Sequence, residues 1–283
     1  MTSLSLHAGR FVVELAPQAG GSIARFRHDD VDLLRPMPAE ARASGRGNEA
    51  ACYPLVPFSN RIANGRLVFD GQEFTLEQNW PGVRHPMHGE GWARVWDVVR
   101  RDRNAAELVH EHDGSKGWPF RYRARLSFRL DGYGLIVSMA VENLERRAAP
   151  AGMGLHPFFT RDADSELAFR AAAVWLGDED VLPTKRVGVP PGWDYSRSRK
   201  IEPGLDNCFE DWERRAVITW PGRGYRLELQ ASPPFGHAVV YTPADRPYFC
   251  VEPVSHVNGK VVESRLEPGA RLDGEVAFRV STI

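Results

Sequence analysis

Residues 121–141 read RYRARLSFRLDGYGLIVSMAV, and they are the clearest indication of fold class in the chain. Every second residue from Tyr122 to Leu130 is apolar or aromatic, and the residues between them are arginines and one serine. This period of two is typical of a β-strand with one buried face and one exposed face. Asp131-Gly132 then leads to a second apolar run, Leu135 to Val141, and Asp-Gly between two such runs favours a hairpin. The stretch predicts two long antiparallel strands.

The same pattern recurs on both sides of this stretch. The strongest further hairpin signal is Leu67-Val68-Phe69, Asp70-Gly71 and then Glu73 to Leu76. Other paired runs are Val95 to Arg100 with Ala106 to His110 and Val217 to Trp220 with Tyr225 to Gln230, and the single strands are Phe11 to Leu15 and Ala238 to Thr242.

Helical signals are scarce. Only Pro38 to Ala51 is rich in helix-forming residues, and Gly45 and Gly47 interrupt it. Strands that follow strands, without alternating helices, exclude dinucleotide-binding and P-loop architectures. No repeat or linker divides the chain, so we expect an all-β fold, one large antiparallel β-sandwich over residues 1–283.

Composition limits the classes of partner. Of the 283 residues, 36 are Lys or Arg and 37 are Asp or Glu, so the formal net charge is -1, which argues against nucleic acid or an anionic membrane as a partner. Hydrophobic residues make up 42%, enough for a sizeable core. Cys52, Cys208 and Cys250 are odd in number and widely spaced, which fits a reducing compartment. With no secretory signal or membrane span in the sequence, we expect a cytoplasmic protein.

Two candidate binding residues lie in loops near the best hairpin. Arg61 follows Asn60 in a largely apolar segment, and its planar guanidinium could bind several hydroxyls or a carboxylate, although an ordinary ion pair is commoner. His88 lies in the glycine-flanked loop HPMHGEGW, residues 85–92, where it could donate to a ligand oxygen or simply stabilise the loop.

Three further polar residues are candidates for chemistry or binding. His156 lies between a glycine-rich segment and two phenylalanines, and an imidazole suits proton transfer near neutral pH. Glu252 lies in the apolar run YFCVEP, where a carboxylate without a partner would be costly, so it is a candidate general base. Asp206 follows Pro203-Gly204-Leu205, a turn in which an aspartate often bonds its own backbone.

Metal binding and serine catalysis have weak support in the sequence. His110 and His112 would share one face of a strand, and His85 and His88 are three residues apart, but no further ligand follows at a recognisable spacing. We therefore expect no metal. No serine lies in a Gly-x-Ser-x-Gly elbow. Tryptophans are numerous, and the flat rings of some, Trp92 among them, would suit the apolar face of a sugar.

Together these motifs resemble the aldose 1-epimerases, the galactose mutarotase-like family. The resemblance rests on ordered markers from about Phe11 to Phe278: Asn60-Arg61-Ile62, Gly65, Phe69-Asp70-Gly71, Leu76, Asn79, His88-Gly89, Trp96, Gly117-Trp118-Pro119-Phe120, Leu155-His156-Pro157-Phe158-Phe159, Leu205-Asp206-Asn207-Cys208-Phe209 and Val251-Glu252-Pro253.

The resemblance implies a galactose mutarotase-like β-sandwich that interconverts the α and β anomers of a free aldose without cofactor or metal. It implies that Glu252 is the general base and His156 the general acid. It assigns sugar binding to Arg61, His88 and Asp206, and we add Asn60 and Trp92 from the same segments. The only expected partner is a small sugar, with the chain a monomer or a homodimer.

The chain departs from the family pattern at a few positions. Glu90 stands where many galactose mutarotases have a second glycine, Pro157 replaces the residue usual after the histidine, and Glu252-Pro253 continues into Val254-Ser255-His256. The resemblance therefore specifies the type of reaction better than the identity of the sugar.

Three alternatives stay open. The basic run with Arg197, Arg199 and Lys200 could hold the phosphate of a hexose 6-phosphate. Asp206 and Glu252 could be the paired carboxylates of a glycoside hydrolase. The chain could also be a sugar-binding sandwich without catalysis.

The proposed chemistry makes a demand on protonation. Opening a hemiacetal requires the anomeric hydroxyl to lose a proton while the ring oxygen gains one, so we expect an ionised Glu252 and a protonated His156 on opposite sides of the C–O bond. We also expect the negative charge of Asp206 to raise the basicity of the imidazole.

Overall fold

The computed structural model describes residues 4–115 and 117–283. In chain order these residues form β1 (Leu4–Ala8), β2 (Phe11–Ala16), β3 (Ser22–His28), β4 (Val31–Asp32), α1 (Ala39–Ser44), β5 (Cys52–Leu55), β6 (Arg66–Phe69), β7 (Gln72–Thr75), β8 (Asp97–Arg101), β9 (Ala105–Asp113), β10 (Arg121–Asp131), β11 (Gly134–Asn143), β12 (Ala149–Pro150), β13 (Gly154–Thr160), β14 (Glu166–Phe169), β15 (Ala173–Gly177), β16 (Pro183–Gly188), β17 (Arg199–Lys200), β18 (Asp206–Glu210), β19 (Arg215–Trp220), β20 (Tyr225–Ala231), β21 (His237–Tyr241), β22 (Tyr248–Val254), β23 (Arg265–Leu266) and β24 (Arg271–Thr282). Short 3₁₀ turns occur at Gly47–Glu49, Ala63–Gly65, Gly91–Ala93, Pro191–Trp193, Pro221–Arg223 and Val261–Glu263.

Two large antiparallel sheets contain most of these strands. The first has 11 strands, in the order β1-β2-β3-β5-β13-β22-β21-β18-β15-β16 with β4 paired to β3. The second has nine strands, in the order β17-β14-β19-β20-β24-β11-β10-β9-β8. The predicted all-β sandwich is therefore confirmed.

The stretch at residues 121–141 folds as its pattern predicts. Strands β10 and β11 pair in antiparallel register from Tyr122 with Asn143 to Asp131 with Gly134. The apolar positions of β10 are buried, and the arginines alternate with them on the more exposed face. The hairpin at Asp70-Gly71 is also confirmed, since β6 and β7 pair across it and both turn residues have positive φ angles of 48° and 74°.

The one predicted helical segment forms only a short helix. Helix α1 has 6 residues and ends at Gly45, which adopts the left-handed conformation with φ 71°. The described residues contain no helix that is both long and apolar enough to cross a bilayer.

The two faces of the 11-stranded sheet bury different sets of side chains. Because side chains alternate along a strand, Phe249 and Val251 of β22 point into the main core between the sheets. Cys250 of β22 and Phe158 of the neighbouring strand β13 belong to a second apolar cluster on the opposite face. That opposite face, covered by loops, carries the cavity described next.

Candidate active site

A cavity of about 460 Å³ opens on the second face of the 11-stranded sheet. Strands β5, β13, β18, β21 and β22 form its floor, and the loops before β6 and before β8 form part of its wall. The structure brings six of the seven predicted site residues to its lining: Asn60, Arg61, His88, His156, Asp206 and Glu252.

His156 and Glu252 contact each other on the floor of the cavity. They belong to the adjacent strands β13 and β22, whose antiparallel pairing runs from Gly154 with Val254 to Thr160 with Tyr248. Nε2 of His156 lies 3.3 Å from Oε1 of Glu252. Both side chains are buried, yet Nδ1 of His156 and Oε2 of Glu252 have no hydrogen-bond partner among the described residues. Such atoms are costly to bury unless a ligand uses them.

Burial sets the protonation of this pair. It lowers the pKa of His156 to about 3. Burial, and then the negative charge of Asp206, raises the pKa of Glu252 well above its usual range, while the positive charge of Arg61 opposes this shift. Burial therefore favours a neutral imidazole beside an uncharged carboxyl group, so that neither side chain carries a charge.

This result corrects the expectation that Asp206 makes the imidazole more basic. The charge of Asp206 acts on Glu252 instead, and the dominant effect on His156 is the loss of water around the ring. The rings of Tyr53 and Phe158 stack against the imidazole at 4.6 and 4.5 Å between centroids, which explains that loss.

His88 is held as a neutral hydrogen-bond donor. The backbone N–H of Asn60 donates to Nδ1 of His88 at 3.1 Å, so the proton of the neutral ring is on Nε2. Burial, followed by the charges of His156 and Arg61, lowers the pKa of His88 well below its usual range. Its ring centroid is 5.3 Å from that of His156, so the two imidazoles serve the same part of the cavity.

The backbone around His88 and Asn60 is strained and firmly held. Both residues adopt left-handed φ angles, 62° and 56°, which cost free energy for residues other than glycine. The side chain of Asn79 donates to the carbonyls of Met87 and Gly89 and accepts the N–H of Met87. The positions of Asn60 and His88 in the cavity wall are therefore fixed by the loop itself.

Arg61 and Asp206 face each other across the cavity without a tight contact. Nη2 of Arg61 lies 3.9 Å from Oδ2 of Asp206, and Nη1 bonds Oδ1 of Asn60 at 3.2 Å. Burial raises the pKa of Asp206, and Arg61 opposes the shift. A loose pair leaves donors and acceptors free for hydroxyl groups.

Trp92 is the one predicted site residue outside the cavity lining. It is buried, and its indole N–H donates to the carbonyl of Gly89. Its ring packs at 5.0 Å against that of Trp80, which does line the cavity. The sequence signal was an abundance of tryptophans, and it could not distinguish the ring that lines the cavity from the ring that packs behind it.

Sequence reasoning also missed an aromatic and cationic part of the wall. The guanidinium of Arg35 lies 4.2 Å from the ring centre of Phe158 and 4.9 Å from that of Tyr248, and all three residues line the cavity. Its Nη2 donates to the carbonyls of Glu49 and Ala50 at 2.9 and 2.8 Å. Arg35 follows β4 in an irregular segment, and no motif marks it.

The basic run before Asp206 lies outside this cavity. Arg199 and Lys200 form β17 at the edge of the nine-stranded sheet. The guanidinium of Arg199 lies over the ring of Tyr195 and donates to the carbonyls of Gly192 and Asp194. Arg197 lines a separate surface depression. The basis on which the sequence suggested a phosphate subsite is therefore absent from the cavity.

Glu90, the departure from the family pattern, joins the His88 loop to the second sheet. Its Oε2 accepts from Arg94 at 2.6 and 3.0 Å, and its Oε1 accepts from the Tyr122 hydroxyl at 3.2 Å and contacts Nδ1 of His112. Nε2 of His110 lies 3.6 Å from Oε1. We call these five residues the Glu90 cluster; sequence reasoning noted the histidines but not their carboxylate.

His256, near the proposed site in sequence, has a structural role. Its Nε2 accepts the N–H of Ser59 at 3.1 Å, and its Nδ1 bonds the carbonyl of Val257 at 2.8 Å. Burial lowers its pKa to about 4. With both ring nitrogens bonded to backbone, the side chain fixes the loop that leads into Asn60 and does not line the cavity.

Comparisons with known proteins agree with this fold. The family model for aldose 1-epimerase matches residues 2–277. The uncharacterized protein YphB of Escherichia coli (strain K12) is 30% identical, with 99% of each chain covered. The aldose 1-epimerase of the same organism is 31% identical over 47% of this chain and 38% of its own length.

Solved structures extend the comparison. A structure from Escherichia coli K12 superposes with a TM-score of 0.92 at 29% identity, covering 100% of this chain and 99% of that chain. A galactose mutarotase-like protein from Clostridium acetobutylicum superposes with a TM-score of 0.89 at 17% identity, covering 99% and 95%. The β-sandwich fold is thus common to these proteins. The chain belongs to the aldose 1-epimerase family.

Proposed function

We propose that the protein is an aldose 1-epimerase, which interconverts the α and β anomers of a free aldose. The observation that carries this proposal is the contact at 3.3 Å between His156 and Glu252 on the floor of a cavity with several hydroxyl-binding groups. Arg61, Asp206 and His88 offer donors and acceptors for the sugar hydroxyls around that pair.

Ring opening would begin with a transfer within the pair. The proton that Glu252 holds in the ligand-free site would move to His156, a distance of 3.3 Å between the two heavy atoms. The carboxylate of Glu252 would then take the proton of the anomeric hydroxyl while the imidazolium protonates the ring oxygen. The C–O bond breaks to give the open-chain aldehyde, and one proton remains between the two residues.

Ring closure would use the opposite protonation. After opening, Glu252 is a carboxylic acid and His156 is neutral, which is the state that burial favours without a ligand. Rotation about the first carbon–carbon bond presents the other face of the aldehyde. His156 then accepts the proton of the attacking hydroxyl, and Glu252 protonates the carbonyl oxygen. The forward and reverse steps thus use the same two residues in exchanged roles.

Polarimetry on freshly dissolved α-sugars tests this proposal. We expect the protein to accelerate the approach to anomeric equilibrium for at least one aldose in a panel of free pentoses, free hexoses and hexose 6-phosphates, and saturation-transfer NMR gives the exchange rates. Binding without acceleration would support a non-catalytic sandwich, and release of the aryl group from an aryl glycoside would support a hydrolase. Either result would contradict the proposal.

Replacing His156 with asparagine is expected to lower the catalysed rate constant by about 10²-fold, the lower end for a general acid–base residue. The loss is partial because the Nε2–H of neutral His88 lies in the same part of the cavity. Saturation-transfer NMR of the variant measures it. His237→Asn is the matched control, since His237 is a part-buried histidine that does not line the cavity. A rate near that of the wild type in His156→Asn would exclude the assigned role.

Replacing Trp80 with alanine is expected to raise KM roughly 10-fold with little change in kcat, because a ring that stacks on the sugar contributes about 0.5–1.5 kcal/mol beyond its buried area. Trp92→Phe should change KM less, since Trp92 lies behind Trp80. Initial rates over a range of sugar concentrations measure both. A larger effect from Trp92 than from Trp80 would show that the wrong ring has been assigned to the sugar.

A further inference from the structure

A third reactive side chain lies beside the proton-transfer pair, buried behind the floor of the cavity. One imidazole nitrogen of His156, Sγ of Cys250 and one carboxylate oxygen of Glu252 all lie within 4.8 Å of one another. All three side chains are buried, and Cys250 is a free cysteine with no exposed surface. None of the roles described above uses the thiol.

The positions of the three side chains are set by the strands before any metal binds. Cys250 and Glu252 are two residues apart on β22, so their side chains point to the same face of the sheet. Strand β13 is the hydrogen-bonded neighbour, and its register places His156 beside Glu252. Three potential ligands therefore stand on two central strands, without any loop that would have to order on binding.

Unused bonding capacity points to a ligand at this place. Oε2 of Glu252 and Nδ1 of His156 have no hydrogen-bond partner among the described residues, and the two residues are only 2% and 7% exposed. The nearby carboxylate of Asp206 adds negative charge, which contributes to the raised pKa of Glu252. A cation bound beside Nε2 of His156 would offer a partner to Oε2 of Glu252 and would offset the repulsion between the carboxylates.

The donor set suits zinc. Zinc binds imidazole nitrogen at about 2.0–2.1 Å, carboxylate oxygen at about 2.0–2.2 Å and thiolate sulfur at about 2.3 Å, usually with tetrahedral geometry. Two such nitrogen and oxygen ligands would be about 3.3 Å apart. The observed separation between Nε2 of His156 and Oε1 of Glu252 is 3.3 Å. The fourth position would face the cavity.

The Glu90 cluster is a second group of potential metal ligands, and it is less suitable for zinc. His110, His112 and Glu90 also lie within 4.8 Å of one another. There, however, the guanidinium of Arg94 and the hydroxyl of Tyr122 already bond the carboxylate. A dication would have to displace a cation from a buried group, whereas at Cys250 the carboxylate has a free oxygen.

We propose that His156, Cys250 and Glu252 form a Zn²⁺ site, and that zinc and the sugar exclude each other from the cavity. Binding would expel the thiol proton of Cys250 and the proton shared by His156 and Glu252 to solvent, since metal ligands must be deprotonated. Bound zinc would thus inhibit the reaction. The inhibition rests on the proposed function, whereas zinc binding itself does not.

Calorimetry with ZnCl₂ and absorption spectroscopy with CoCl₂ test the site directly. We expect one zinc per chain and a cobalt spectrum with the intense visible bands of tetrahedral coordination and a thiolate charge-transfer band. Cys250→Ser should weaken zinc binding by at least about 100-fold and abolish the thiolate band, since even outer-shell changes cost about 10–100-fold. Cys208→Ser is the matched control, because Cys208 is equally buried but outside the ligand group.

Equal zinc affinity of the wild type and Cys250→Ser, or a cobalt spectrum without the thiolate band, would overturn the site. Cys250→Ala, which buries no hydroxyl, repeats the test if the serine variant does not fold, and circular dichroism identifies that case.

Competition between zinc and the sugar is tested separately. Zinc should raise KM for the sugar, and each variant is compared with its own zinc-free rate. In return, the sugar should weaken zinc binding by the same factor. Zinc binding without inhibition would refute the mutual exclusion and leave the proposed epimerase activity standing.

Discussion

Replacing Glu252 with glutamine is expected to lower kcat/KM for anomer exchange by at least about 10³-fold, within the range for loss of a general acid–base group. Glutamine has nearly the same shape but can neither take the anomeric proton nor return it. Because burial already favours the uncharged form of Glu252, the neutral amide should leave the unfolding temperature almost unchanged. Polarimetry and thermal unfolding together measure the two quantities.

The matched control is Glu213→Gln. Glu213 is exposed, lies 3.9 Å from Arg170 and does not line the cavity, so its variant should keep the full rate. If Glu252→Gln were folded and retained near-normal exchange, Glu252 could not be the base. If it lost activity only by unfolding, the thermal midpoint would fall with the rate.

Replacing Glu90 with glutamine is expected to lower the free energy of unfolding by about 3 kcal/mol, the low end for breaking a buried ion pair. The carboxylate is 4% exposed and bonds Arg94, Tyr122 and His112. These contacts join the loop that carries His88 to strands β9 and β10 of the second sheet. Urea unfolding followed by fluorescence measures the change.

The pH dependence of this loss follows from two opposite pKa shifts. Burial would raise the pKa of Glu90, but its interactions with the neighbouring side chains of His110, His112 and Arg94 outweigh burial and lower it, so its stabilisation is present above about pH 4.5 and lost as pH falls. Burial would lower the pKa of His112, but the Glu90 carboxylate outweighs burial and raises it, so its stabilisation is present below about pH 6.5 and lost as pH rises through the raised value. The difference between wild type and variant should therefore be largest between about pH 4.5 and 6.5.

Glu107→Gln provides the comparison for this second prediction. Glu107 is on the same strand β9, and its part-exposed carboxylate pairs with Arg125 at 2.9 Å. A pair of this kind contributes about 0–1 kcal/mol. A difference between wild type and Glu90→Gln that is as small as this, or constant from pH 4 to 8, would show that the Glu90 cluster contributes no buried charge pairing.

The sequence predicted the parts of the fold where a strand has one wet face. The alternation from Tyr122 to Leu130 and the Asp-Gly turns are local signals, and β10, β11, β6 and β7 follow them. Strands β13 and β22, on which the site stands, have buried residues on both faces. Their apolar runs carry no alternation, so only the ordered family motifs marked them.

The candidate site was predicted where chemistry sets a residue apart from its neighbours. Glu252 in the apolar run of β22 and His156 before two phenylalanines can be recognised from the sequence alone, and their side chains lie 3.3 Å apart. Arg35 and Tyr53 are ordinary residues in sequence, and they line the cavity because both lie beside β13. Tyr53 of β5 is opposite His156, and the backbone N–H of Arg35 donates to the carbonyl of Phe158. The protonation of the pair could not be predicted either, because it depends on the water that those side chains exclude.

The reacting side chains stand on the middle strands of an 11-stranded sheet, and the groups around the rim come from loops. Under the proposed function, changes to the rim therefore alter which sugar fits without moving the proton donor relative to the acceptor. Trp80, Arg246 and Asn48 line the cavity from outside the strands. A library randomised at these three positions should give variants with new substrate preferences and undiminished turnover more readily than one randomised on the floor. Selectivity and reactivity in this protein are separable engineering targets.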